Sequence, residues 1–206
     1  MAEMEIQTYT GGVASTNAYL VKANGGHLAI DAPEGFWGYL KSNVETLLGL
    51  VLTHGHYDHI WDASKIIHQF GCPVYYHKAD LVMFKNPDIM SGFGLPPGLI
   101  NPVDVTHALG HDDSLSLSPW NFKVIHAPGH SPGSICFYEA SQHILFGGDV
   151  LFAGSIGRTD FPGCSHDELI GHIKNKILTL PAKTVVYPGH GPSTSVEVEK
   201  NTNPFL

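Results

Sequence analysis

The chain predicts an α+β fold in which two β-sheets pack face to face with helices on the outside, forming a single domain over residues 1–206. Three observations carry this expectation. A series of strands followed by helix occurs twice along the chain, the strand-like runs are bounded by glycine-rich turns, and no linker or low-complexity stretch separates the halves. A chain of 206 residues is also long enough to bury one large core.

From the N-terminus, Ile6 to Tyr9, Asn17 to Lys22 and His27 to Ile30 have strand character. Gly11-Gly12 and Asn24-Gly25-Gly26 supply the turns, the second being a strong hairpin signal. Phe36 to Val44 suits a short helix, and the apolar run Leu47 to Thr53 a buried strand. Apolar residues at helical spacing predict one helix over Ile60 to Phe70, stopped by Gly71. Val74 to Tyr76 reads as a strand and Lys78 to Phe84 as a short helix. Asn86 to Val103 is a long Gly- and Pro-rich stretch whose Met90, Phe93, Leu95 and Leu99 look exposed. Its apolar content predicts a lid or a packed rim. In the second half, Phe122 to Ala127, Ser134 to Tyr138 and His143 to Phe146 are strands. Ser165-His166-Asp167-Glu168 is a capping box that opens a helix to about Leu180, and Thr184 to Tyr187 is a last strand.

Composition limits the function classes. The net charge is -8, with Arg158 the only arginine beside ten lysines, which argues against a nucleic-acid surface. Cys72, Cys136 and Cys164 are too few and too scattered for a disulfide framework or a thiolate-rich zinc site. Cys136 is expected to be packed, and Cys164, in a glycine-proline loop, to be the thiol worth testing for reactivity. Acidic Glu3 and Glu5 replace a basic leader, and no apolar run has the length of a membrane span. The expected location is the cytoplasm, with no nucleic-acid or membrane partner.

The chemistry concentrates in Thr53-His54-Gly55-His56-Tyr57-Asp58-His59. On a helix, His54 and His56 would point apart, because shared ligation there needs a spacing of three or four. In an extended turn after a strand, residues two apart point the same way. Asp58 and His59 follow where the chain turns and can face a second metal. A packed core would exclude so many polar groups unless they were paired.

Three predicted strands of the second half end in the same kind of residue. His130 follows Pro128-Gly129, Asp149 follows Gly147-Gly148, and His190 follows Pro188-Gly189. The other nine histidines (27, 68, 77, 107, 111, 126, 143, 166 and 172) lack this pattern and are expected at the surface, in caps or in the core. Five histidines and two aspartates exceed one tetrahedral zinc site with an open position. They suit two ions about 3.5–4 Å apart. Asp149 is the natural bridge, since a carboxylate spans two ions and a neutral imidazole does not. The cofactor expectation is therefore two divalent ions, zinc foremost, with iron or manganese also fitting the N/O donor set.

The series His54-x-His56-x-Asp58-His59, His130, Asp149, His190 resembles the metallo-β-lactamase fold superfamily, over nearly the whole chain. Gly157-Arg158-Thr159-Asp160-Phe161 and the ending Asn203-Pro204-Phe205-Leu206 resemble glyoxalase II and its short relatives more closely. The resemblance implies a four-layer αββα sandwich. It implies His54, His56 and His130 on a first metal, and Asp58, His59 and His190 on a second, with Asp149 bridging. Asp31 resembles the family's aspartate that orients a ligating imidazole. The β-lactamases of this fold usually carry cysteine where Asp149 stands, and the oxygen-reducing diiron branch a glutamate where His56 stands; both point away from those branches.

The activity so implied is hydrolysis of a small-molecule thioester or ester by a metal-bridging hydroxide. Asp58 would shuttle a proton as the catalytic carboxylate. Arg158 would either receive a substrate carboxylate with its planar fork or pair structurally with Asp160. The alternative enzyme is a mononuclear non-haem iron persulfide (sulfur) dioxygenase using His54, His130 and Asp149. A third possibility is a metal-stabilised binding module without catalysis.

Overall fold

The structure is a computed structural model in which residues 3–90 and 96–206 are described. The first half contributes β1 (Ile6–Gly11), β2 (Thr16–Ala23), β3 (Gly26–Ile30), α1 (Phe36–Asn43), β4 (Leu47–Val51), α2 (Tyr57–Ile60), α3 (Ala63–Phe70), β5 (Val74–Tyr76), α4 (Leu81–Lys85) and β6 (His107–Ala108). The second contributes β7 (Ser114–Leu117), β8 (Trp120–His126), β9 (Ile135–Glu139), β10 (Ile144–Gly148), the small pair β11 (Leu151–Phe152) and β12 (Ser155–Ile156), α5 (His166–His172), β13 (Val185–Pro188), β14 (Thr194–Ser195) and α6 (Val196–Thr202).

One sheet runs β1 to β6 in sequence order and the other β14-β13-β10-β9-β8-β7. Alternation along the strands sorts their side chains into three apolar layers, as the two-residue period requires. On β2, Ala18 and Leu20 join Phe36, Leu40, Ala63 and Ile66 under the first-half helices. Tyr19 and Val21 face the other way, meeting Phe122, Val124, Phe137 and Phe146 between the sheets. On the outer face of the second sheet, Ile125, Cys136 and Leu145 pack against Leu169, Ile173, Ile177 and Val196. Three apolar interfaces make four layers, αββα.

Strand direction fixes where the site lies. In the second sheet β8 is antiparallel to β9, β9 antiparallel to β10, and β10 parallel to β13. The C-terminal ends of β8, β10 and β13 therefore share one edge. The first sheet is stitched to that edge: Ile135 N–H donates to the Thr53 carbonyl at 2.9 Å and Asn17 N–H to the Gly189 carbonyl at 2.7 Å. The Tyr19 hydroxyl reaches the Pro188 carbonyl at 2.6 Å.

Several predicted elements differ in extent. The single helix expected over Ile60 to Phe70 is two helices broken at Asp62. The Asp62 carboxylate accepts N–H bonds from Gly35 at 2.8 Å and Trp37 at 3.1 Å, so it caps the start of α1 and the chain resets before α3. The helix after Ser165 opens as expected, with Ser165 Oγ accepting from Glu168 N–H at 3.4 Å. It widens to a π-turn at Ile173–Ile177, which places both of these isoleucines fully against the sheet. The strand expected to end at Thr53 ends at Val51, leaving 52–56 as an extended loop. The short strands β6, β7, β11, β12 and β14 and the helix α6 were not foreseen. Two-residue strands carry no period to detect, but α6 follows a recognisable cap, Ser195, whose Oγ accepts from Val198 N–H at 3.2 Å.

Between Asn86 and Val103 the chain forms a packed rim where it is described. Ile100 and Val103 are buried in the first-half core. Met90 is buried rather than exposed, while Leu99 is half exposed. Phe93 and Leu95 lie outside the described residues.

Candidate metal centre

The loop after β4 is set by Asp31, at the end of β3. Its carboxylate accepts the Thr53 N–H at 2.8 Å and the Thr53 hydroxyl at 2.8 Å, and it takes the His59 Nδ1–H at 2.8 Å. Asp31 thus orients a predicted ligand, as the sequence suggested. The chain stays extended through His56 and turns into α2 at Tyr57, so His54 and His56 face one side and Asp58 and His59 the next.

All seven predicted ligands come together. His130 Nε2 lies 2.8 Å from His56 Nδ1 and 3.2 Å from His54 Nε2. His190 Nε2 and His59 Nε2 lie 3.3 Å and 3.5 Å from Asp58 Oδ2. Asp149 sits between these groups. Its Oδ2 is 3.4 Å from His130 Nε2 and 3.3 Å from His190 Nε2, and its Oδ1 is 3.3 Å from His59 Nε2. The close approach of β13 to this carboxylate requires Gly189, since a Cβ there would overlap Asp149 Oδ1.

The second nitrogen of three further imidazoles is also held. His130 Nδ1–H donates to the Arg158 carbonyl at 2.8 Å, and His190 Nδ1–H to the Ala14 carbonyl at 3.2 Å. His54 Nδ1 lies 3.1 Å from the Thr53 hydroxyl. These contacts leave the Nε2 atoms of His130 and His190 aimed inward.

The electrostatics divide the site in two. Burial holds His54 and His130 below the ordinary imidazole range, the neighbouring imidazoles adding to it at His54. Burial and the proximity of His130 bring His56 down to about 3. These three are neutral lone-pair donors. On the other side, burial opposes charge on His59 and His190. The carboxylates of Asp149 and Asp58 outweigh it, raising His59 well above its usual value and His190 to about 10. Burial would raise Asp58, but the His59 charge and the bonds from His190 and Thr16 bring it down to about 2.

The residues fit a cation. His59 Nε2 and Asp149 Oδ1 are buried without a hydrogen-bond partner among the described residues, and both point into the cluster. Three ligand trios have atoms mutually within 4.8 Å: His54, His56 and His130; Asp58, His59 and His190; and His54, His59 and Asp149. The third trio bridges the other two.

Over the cluster lies a cleft of about 200 Å³ walled by Ala14, Tyr57, Met90, Arg158 and Phe161. Arg158 is bidentate to Asp160, with Nε to Oδ1 at 2.7 Å and Nη2 to Oδ2 at 2.6 Å, and its guanidinium stacks 4.0 Å over Phe161. The structural pairing weighed for Arg158 is the one present. Cys164, the thiol singled out for a reactivity test, donates its S–H to the His130 carbonyl at 2.7 Å, and burial raises its pKa. Sequence reasoning missed Thr16, whose hydroxyl donates to Asp58 Oδ2 at 2.6 Å, and Asp80, treated below. A lone threonine or aspartate far from the histidine motifs gives no local signal.

Comparison with known proteins agrees with this geometry. Hydroxyacylglutathione hydrolase GloC of Haemophilus influenzae is 39% identical over 160 residues, covering 76% of this chain and 74% of GloC. The crystal structure of the BLEG-1 B3 metallo-beta-lactamase superposes with a TM-score of 0.90 at 37% identity, over 98% of this chain and 99% of BLEG-1. TTHA1623, solved in a di-iron-bound form, gives 0.85 at 36% identity, over 97% of this chain and 100% of that one. A family model for the metallo-beta-lactamase superfamily matches residues 11–190, and the chain belongs to that superfamily.

Proposed function

We propose that the protein is a dinuclear metal-dependent hydrolase of thioesters or esters, similar in reaction to glyoxalase II. The observation that carries this reading is Asp149 Oδ2, set 3.4 Å from His130 Nε2 and 3.3 Å from His190 Nε2, where one carboxylate touches both ligand trios. GloC, named as a hydroxyacylglutathione hydrolase, supports the substrate class, and the di-iron-bound TTHA1623 supports the pair of cations. Zinc remains the expected metal from the nitrogen-rich first trio, with iron or manganese compatible.

His54, His56 and His130 would hold one cation, Asp58, His59 and His190 the other, and Asp149 both. Bound there, two cations would supply a water whose pKa falls toward about 7 and a Lewis-acid hold on a carbonyl oxygen. The protein's own groups do the rest. Asp58, ionised and anchored by Thr16, has a carboxylate on the cleft wall able to accept a proton from an attacking water and pass it on. Phe161 packs edge-on against His56 at 5.3 Å and, with Met90 and Tyr57, gives the cleft an apolar wall against which an acyl group would rest. A thiolate leaving group needs little protonation, which favours thioesters. The expected partner is a small (thio)ester, and the expected location remains the cytoplasm; no helix among the described residues is long and apolar enough to cross a membrane.

Elemental analysis of protein purified without added metal, paired with anaerobic assays, tests the reading. Two metals per chain with anaerobic thioester cleavage is the expected result. One iron per chain with oxygen uptake on a persulfide would establish the dioxygenase instead. Preferential β-lactam turnover would move the protein toward BLEG-1, and inactivity across all substrates at full metal loading would leave a binding module.

A further inference from the structure

Asp80 is fully buried, lies outside the ligand motifs, and plays no part in the reaction described above. It arrives from the end of β5, the strand beside β4, on a short 3-10 turn over Lys78–Asp80. The His77 side chain caps that turn by accepting from Ala79 N–H at 3.3 Å. The His77 ring stacks on His126 at 3.9 Å, and His126 Nε2–H donates to the Pro132 carbonyl at 2.9 Å. The turn carrying Asp80 is thereby docked against the loop that carries His130.

Among the described residues, every hydrogen bond of the Asp80 carboxylate goes to a ligand loop. Oδ2 accepts the N–H of Gly55, the residue between His54 and His56, at 2.9 Å. The same oxygen accepts the hydroxyl of Ser131, next to His130, at 2.7 Å, and Oδ1 accepts Gly133 N–H at 2.6 Å. The two glycines are sized to it. A Cβ at Gly55 would meet Asp80 Cβ at 3.2 Å and Met83 Cβ at 2.8 Å, and one at Gly133 would meet Asp80 Cγ at 2.5 Å. No such bond joins Asp80 to Asp58, His59 or His190 among the described residues.

We infer that Asp80 is the positioning residue for the first trio alone, clamping the His54–His56 loop from one sheet to the His130 loop from the other. It does for that trio what Asp31 does for His59. The inference rests on the proposed pair of cations. Asn is nearly isosteric but carries two donors, so one amide hydrogen must face Gly55 or Gly133 N–H, and the clamp opens without a change in volume. Loss of such supporting bonds weakens metal affinity about 10–100-fold.

The test is metal retention by wild type, Asp80→Asn and Ser131→Ala after dialysis against graded chelator, with circular dichroism confirming the fold. Amide exchange at Gly55 and Gly133 is followed in the metal-free chains. The expected result is that Asp80→Asn keeps one metal at chelator levels where wild type keeps two. Both glycine amides exchange faster, and Ser131→Ala, which removes one bond of three, falls between. Two metals held with wild-type affinity by Asp80→Asn, or both lost in parallel, would overturn the inference while leaving the dinuclear reading intact. Wild type that binds only one metal would overturn that reading, and the inference with it. Should Asp80→Asn fail to fold, Ser131→Ala decides alone: selective loss of one metal supports the clamp, and unchanged retention refutes it.

Discussion

The two ligand trios differ in burial and charge, and the difference says what each is built to do. His54, His56 and His130 are buried, and burial keeps them neutral. Asp58 and His190 are only partly buried and belong to a charged set in which carboxylates hold the imidazoles' pKa values up. A neutral nitrogen pocket attracts a cation only by coordination, so it depends on geometry and favours borderline metals. A pocket containing Asp58 also attracts by charge and tolerates looser geometry. The first trio is therefore expected to fix metal identity, and the second, the more exposed in a cleft that both line, to face the substrate.

The largest expected effect breaks the link between them. Asp149→Ala removes the carboxylate that touches both trios and should reduce metal content at both and thioesterase turnover to background. Two metals retained per chain would show that the carboxylate does not bridge. His56→Ala attacks the first trio alone. Metal content should fall from two toward one per chain with activity abolished, and turnover at wild-type occupancy would remove His56 from the ligand set.

Acidification separates the trios more gently. Protons compete with a cation only while the ligands hold them. In the first trio, with His56 at about 3, the imidazoles are already free of protons, so metal affinity should stay flat from about pH 9 to about pH 6. In the second, His190 titrates at about 10 and His59 is raised as well, so a cation must displace a proton from each and affinity should weaken by more than about tenfold for each pH unit below that. Metal titrations of the chelated protein at several pH values check the contrast; parallel slopes would erase it.

The smallest effect is expected at the rim. Arg158 and Asp160 are both largely exposed, and such pairs contribute little to stability. Because Asp160 already occupies the guanidinium fork, Arg158→Ala should change KM for carboxylate-bearing and neutral thioesters alike by no more than about twofold. Asp160→Asn should lower KM for the carboxylate-bearing substrate only. A large, charge-selective rise in KM for Arg158→Ala would restore the role in substrate recognition that the sequence offered.

The site was more legible than the fold around it. Four of the seven ligands lie in one short context that leaves little choice: the Thr53–His59 cluster forces ligation after a strand. His130, Asp149 and His190 were found because their strands end the same way. The break at Asp62 was not legible, because the residue that stops the helix does so by capping α1, more than twenty residues earlier in the chain. The π-turn at Ile173–Ile177 was likewise hidden, since helical periodicity persists until packing against the sheet shifts it.

Local chemistry alone determined the ligand types, their order, the alternating strands and the sandwich they imply, because each depends on residues two to four positions apart. Tertiary structure decided what depends on distant partners. It buried Met90 at the rim of the cleft and set Thr16 on Asp58 and Asp80 on both ligand loops. A hydrogen bond between residues 42 or 53 positions apart leaves no period or spacing in the chain. Its energy exists only once the elements that carry the two residues have met.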